Sequence, residues 1–109
     1  MNLLSRAEEI VLLVLYKLKN NAYGVTIREQ IFSDIKKYWS FRVIYKTLKK
    51  LVEKDYVGKI AGDPIAERGG RSKFYYRITN DGLKALMEIR SVHASLWDQV
   101  ALQPQTGKK

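Results

Sequence analysis

The residues with the clearest chemistry are Ser40, Arg42, Tyr45, Lys46, Lys49 and Lys50, which fall in one short stretch. Wound at about 100° per residue, Arg42, Tyr45, Lys46, Lys49, Lys50 and Glu53 share one face, while Ile44, Thr47, Leu48, Leu51 and Val52 share the other. A second basic cluster, Arg68, Gly69, Gly70, Arg71 and Lys73, follows at a glycine-rich turn. The chemistry these residues suit is polyanion binding. Arginine can grip a guanine edge with two parallel hydrogen bonds, and lysines neutralise phosphates. Glycines let a backbone approach a nucleic-acid strand closely.

Two elements must position these groups. The spacing predicts a helix from Ser40 to about Lys54, with Ser40 as N-cap and Trp39 stapled onto Ile44. It predicts a hairpin next, with Val57–Ala61 as one strand and Lys73–Ile78 as the other. In the second strand Phe74, Tyr76 and Ile78 alternate with Lys73, Tyr75 and Arg77. A helix fits the major groove of a duplex, and a cationic hairpin beside it reaches phosphates or the minor groove. The alternative reading of each cluster is plain: a solvated amphipathic face and a solvated turn.

The elements before and after are helical. Ser5 and Glu8 have capping-box spacing, and Ile10–Tyr16 is apolar on every side, which calls for burial on every side and hints at a dimer. Asn20–Gly24 reads as a turn, with Tyr23 packed near the helix junction or, alternatively, touching a phosphate through its hydroxyl. Thr26 and Glu29 suggest a second capping box, opening a helix to about Lys37 with Ile27, Ile31 and Ile35 as its stripe. Thr79 or Asn80 caps a last helix reaching about Ala101, whose arc is Leu83, Leu86, Ile89, His93, Leu96, Trp97 and Val100. The fold class expected is mainly α with a small β-hairpin. Residues 1–79 would form a winged helix-turn-helix, 80–102 a C-terminal dimerisation helix, and 103–109 a disordered tail.

The charge is distributed to match. The chain of 109 residues carries a net +9, and residues 41–79, with ten basic and four acidic side chains, hold +6 of it. A concentrated basic patch is the footprint of a nucleic-acid binder. There is no cysteine, which excludes disulfides and thiolate metal sites. No apolar run approaches the roughly 20 residues that span a bilayer, and no signal peptide is evident, so a cytoplasmic protein without a membrane partner is expected. His93 is the only histidine and has no cysteine partners, so no metal site or cofactor is expected. Ser5, Ser40 and Thr79 read as caps, and neither a nucleophile elbow nor a P-loop is present, so no enzyme is expected.

Ala22-Tyr23-Gly24-Val25, Ile44-Tyr45-Lys46-Thr47-Leu48-Lys49-Lys50-Leu51, Gly69-Gly70-Arg71-Ser72-Lys73-Phe74-Tyr75-Tyr76 and Ile78-Thr79-Asn80-Asp81-Gly82 occur in that order after a leucine-rich first helix. With these motifs the chain resembles the PadR family of bacterial transcriptional regulators over about residues 5–100, in its short branch with a single terminal helix. The resemblance implies a winged-helix fold, a homodimer held by the first and last helices, and repression of nearby genes. A two-fold dimer presents two copies of the basic helix, so a pseudo-palindromic double-stranded DNA operator is expected. Val43 departs from the small residue common at that position in the family, so the operator sequence does not carry over. On the last helix, His93, Trp97 and Val100 are expected at the dimer interface or against a small aromatic effector. The competing functional class is a winged-helix protein-interaction module with acidic partners and no operator. An RNA-binding domain ranks lower because no RRM or KH motif is evident.

Overall fold

In the computed structural model, which describes residues 2–62 and 73–105, the expected order of elements is present. Helix α1 (Arg6–Leu18) runs into a 3₁₀ turn (Lys19–Asn21), followed by α2 (Gly24–Ile35) and α3 (Phe41–Glu53). Strands β1 (Val57–Ala61) and β2 (Phe74–Ile78) come next, and α4 (Asn80–Trp97) closes the order. Helices predominate and the two strands pair antiparallel, with Val57 opposite Ile78 and Lys59 opposite Tyr76. The edge of the hairpin is closed by the turn after α1, where the Tyr76 N–H donates to the Ala22 carbonyl at 2.9 Å.

The caps explain where three helices begin. Ser5 and Glu8 form the reciprocal box: the Glu8 N–H donates to Ser5 Oγ at 3.1 Å, and the Ser5 N–H donates to Glu8 Oε1 at 2.8 Å. Ser40 Oγ accepts the Val43 N–H at 3.2 Å and starts α3. Thr79 Oγ1 accepts the Gly82 N–H at 3.1 Å and itself donates to the Asp55 carbonyl at 2.7 Å. The start of α4 is thus tied to the turn that ends α3.

The core lies between these helices and the hairpin. Val11, Leu12 and Leu15 of α1 meet Ile27 and Ile31 of α2 and Ile44, Leu48 and Leu51 of α3. Val57 and Tyr76 close it from the hairpin, and Ile89 is the buried anchor of α4. Burying such side chains contributes about 1.5–3 kcal/mol each before conformational entropy is subtracted.

Several expectations need correction. Helix α2 starts at Gly24, two residues ahead of the expected cap at Thr26. Thr26 Oγ1 accepts the Tyr23 N–H at 3.0 Å and donates to the Asn21 carbonyl at 2.7 Å, so it caps backward from inside the first turn. Ile35, at the end of the expected stripe, is exposed. Helix α2 stops there because Lys36 adopts a left-handed φ of 61°. On the single chain α1 is not buried on every side, since Leu13 and Tyr16 face outward. Helix α4 ends at Trp97 rather than near Ala101, where Gln99 turns to a φ of 59° and the Val100 N–H bonds the Trp97 carbonyl at 2.9 Å. Residues 94–105 are all exposed, so no packing holds a further turn in place.

Candidate nucleic-acid interface

The buried face of α3 is Ile44, Thr47, Leu48 and Leu51, which fixes what points outward. Arg42, Tyr45, Lys46, Lys49 and Lys50 are all exposed, as the spacing requires. Among the described residues none of these cations pairs with a carboxylate. Their charge is therefore available to an anionic partner. Glu53 interrupts the face at its far end.

The α2–α3 turn is held by a residue that sequence reasoning missed. Arg28 Nε donates to the Trp39 carbonyl at 3.0 Å. Its guanidinium lies 4.9 Å from the ring centres of both Tyr38 and Phe41, a double cation–π contact. Tyr38 in turn stacks on Phe32 at 4.1 Å. This aromatic cluster sets the direction in which α3 leaves the turn, and with it the aim of Arg42.

Tyr45 is only partly free, at 46% exposure. Its hydroxyl lies over Gly24, so closely that a Cβ there would run into it. Tyr45 therefore roofs the first turn of α2. A cleft of about 790 Å³ opens between this roof and the hairpin, walled by Tyr23, Tyr45, Phe74 and Tyr76. Lys49, Lys59 and Lys73 line it, with Glu53 at one side. The Lys73 ammonium lies 4.1 Å from the Tyr23 ring centre, and the Lys59 ammonium 4.2 Å from that of Phe74. Burial, and then the neighbouring Tyr45, push the Tyr76 hydroxyl above the ordinary tyrosine range, so it stays protonated.

The expected site residues are thus distributed unevenly. Lys49, Lys73 and Tyr45 come together in the cleft, while Arg42, Lys46 and Lys50 stand on the open face of α3. Ser40 caps α3. Arg68, Gly69, Gly70 and Arg71, the expected tip of the wing, lie outside the described residues. Lys59 joins the cleft unanticipated, and Tyr23, expected to pack near the helix junction or to touch a phosphate, lines it as well. The pairing of Lys59 with Tyr76 across the hairpin is the signal that places Lys59 there. Arg77 turns away to the hairpin edge, donating to Asn20 Oδ1 at 2.8 Å.

On α4, His93 Nε2 lies 3.1 Å from Glu9 Oε1 and is half-buried against α1. Trp97, at 57% exposure, and Val100 are exposed, as are Met87 and Leu96 at 70% each. His93 therefore belongs to the contact between α1 and α4, while Trp97 ends α4 and Val100 lies just beyond it, both exposed. Among the described residues no helix is long and apolar enough to cross a membrane.

Three helices, a hairpin packed beside the third, and an exposed cationic face on that helix define a winged helix-turn-helix. The solved structures it resembles agree. A PadR family transcription regulator from Clostridium difficile R20291 has a TM-score of 0.66 at 21% identity, over 87% of this chain and 93% of that one. A PadR family regulator from Eggerthella lenta has a TM-score of 0.66 at 24% identity, over 82% and 75%. The H. salinarum protein in the hsRosR-S1 complex reaches 0.69 at 23% identity, over 89% and 79%. No protein-family model matches the sequence, and no curated protein matches it. The fold is that of PadR-like winged-helix regulators, as the sequence motifs imply.

Proposed function

We propose that this protein is a dimeric, sequence-specific DNA-binding regulator of transcription, acting in the cytoplasm as a repressor of a nearby gene. The observation that carries this reading is the outward face of α3. Its four cations have no acidic partner among the described residues, and its aim is fixed by Arg28 and by the Ser40 cap. In this reading Arg42, Tyr45 and Lys46 meet base edges near the helix N-terminus. Lys49, Lys50 and Lys73 hold phosphates, joined by Arg68 and Arg71 with Gly69 and Gly70 at the wing tip.

The dimer is supported by exposed apolar side chains on α4 and just beyond it. Met87, Leu96, Trp97, Val100 and Leu102 are exposed on one chain, together with Leu13 and Tyr16 of α1. Large apolar side chains left in water in such number point to an association site. A two-fold pair of α3 helices calls for a pseudo-palindromic operator with half-sites roughly one helical turn, or 10 bp, apart.

Selection from random duplexes followed by footprinting tests the reading. Recovery of inverted repeats protected as a discrete site is the expected result. Binding without any preferred site, alongside capture by acidic proteins, favours the interaction-module alternative instead.

A further inference from the structure

We propose that the cleft between α3 and the hairpin is a binding site for a free 5′-nucleotide, an effector that occupies the ground a DNA strand would take. This goes beyond the DNA-binding reading, because the residues named for it all lie on one chain and the ligand is neither an operator nor a second copy.

Three features of the cleft define the ligand. The first is a demand for a planar ring: Phe74 and Tyr45 are half-exposed aromatic walls, and although Lys59 already covers one face of Phe74, the ring surface left open is of the kind that stacks on nucleobases. The second is a demand for an anion. Lys49, Lys59 and Lys73 line the space, and among the described residues none is paired with a carboxylate. Gly24 and Val25 also line it, and their N–H groups, at the first turn of α2, have no acceptor within the helix. The third is a demand for hydrogen-bond donors. Glu53 sets a carboxylate at the side of an otherwise cationic cleft, where it can accept from a ribose diol or an exocyclic amine. The Tyr45 hydroxyl is unengaged among the described residues and stands over the start of α2, within reach of a phosphate there.

Ring, anion and donors together describe a nucleoside monophosphate. A sugar phosphate lacks the ring, a nucleoside lacks the charge, and an aryl acid leaves Glu53 without a donor. A cleft of about 790 Å³ has room for one such molecule with its solvent. Because Lys49 and Lys73 would also hold DNA phosphates, an occupied cleft and a bound strand exclude each other.

The test is calorimetric titration of the full chain with adenosine 5′-monophosphate, with adenosine and ribose 5-phosphate as comparators. Saturable binding of one nucleotide per chain is expected, with each comparator at least tenfold weaker. Lys59→Gln and Phe74→Leu, both at exposed positions, should each weaken the nucleotide about tenfold while leaving the circular dichroism spectrum unchanged. Lys84→Gln, an equal loss of charge on α4, should leave it unaltered. Equal binding of ribose 5-phosphate, equal loss in the Lys84 variant, or no saturation at millimolar nucleotide overturns the proposal. A 5′-phosphorylated single strand that binds where the free nucleotide does not also overturns it, by assigning the cleft to a strand end. Displacement of a labelled duplex by the nucleotide is the expected competition. A chain that binds the nucleotide but no duplex would refute the DNA-binding reading and leave this one standing.

Discussion

Glu8 and Lys54 meet at 2.7 Å across 46 residues of sequence, joining the first turn of α1 to the residue that ends α3. Glu8 is 5% exposed and completes the capping box with Ser5. Its neighbour Glu9 receives His93 from α4 at 3.1 Å. Two consecutive carboxylates on α1 thereby hold the helix proposed to read DNA and the helix proposed to pair the chains.

Replacing Glu8 by Gln should destabilise the fold by about 1 kcal/mol, a modest loss because the Lys54 side chain is partly in water. Burial pushes the Glu8 carboxyl up, but the Lys54 ammonium and the Ser5 N–H and hydroxyl outweigh it and hold it below the usual glutamate range. A carboxyl that is more acidic folded than unfolded stabilises fully above its unfolded value, about pH 4.3. That contribution fades as pH falls through the folded value. Urea titrations of the two proteins should differ most near neutrality and converge on acidification. A gap that widens at low pH would contradict this.

Gly82→Ala should cost about 1–3 kcal/mol through overpacking. An added Cβ would run into the Tyr56 carbonyl and come within 2.8 Å of Ile78 Cγ1. Both belong to the junction that Thr79 ties together, so nothing flexible can yield. An unchanged unfolding midpoint would show that α4 can slide at its base.

Leu96→Asp should convert dimers to monomers without unfolding them, because Leu96 is exposed on the single chain and serves no core. Truncation after Gly82 removes Ile89, which is buried, and should instead give aggregation or unfolding. Sedimentation together with circular dichroism separates the two outcomes. A Leu96→Asp protein that stays dimeric would move the interface elsewhere.

Arg42→Ala should cost about 1–3 kcal/mol and relax preference at one base pair per half-site. Lys50→Ala should weaken all duplexes alike and flatten the slope of log K against log salt by about 0.9 for each lost phosphate contact. An undiminished slope would take Lys50 off the strand.

Trp97→Ala tests whether Trp97, expected at the dimer interface or against a small aromatic effector, forms an effector site between paired α4 helices. Two facing indoles would sandwich a flat molecule by stacking. The variant should lose binding of a planar dye while sedimenting as a dimer. Collapse to unfolded monomers would make Trp97 a packing residue alone.

Much of the fold was legible because its signals are local. Ser5 with Glu8, and Ser40 before Phe41, announce helix starts within one turn of chain. The alternation of buried Ile44, Leu48 and Leu51 with exposed lysines oriented α3 without any neighbour. Where two local readings competed, tertiary structure decided. Thr26 has the chemistry of an N-cap, yet the Asn21 carbonyl draws its hydroxyl back and Gly24 and Val25 join the helix. The end of α4 was misread for the opposite reason: its apolar pattern continues past Trp97, but one chain offers no surface to hold it. The cleft was the least legible part. Lys59 reads as an ordinary strand lysine until its pairing with Tyr76 and the packing of the hairpin on α3 place it beside Lys49 and Lys73.

The placement of Tyr45 over Gly24 couples positions 24 and 45 in inheritance. A side chain at 24 displaces the tyrosine hydroxyl, and either an outward swing of that half-exposed ring or a shorter residue at 45 makes room for it. In diverging relatives bulk at 24 should therefore go with a swung-out or shortened side chain at 45. A lineage that gained bulk at 24 would have to turn the phenol outward or surrender it. Surrendering it would uncover the first turn of α2 and redraw what that end of the molecule can hold.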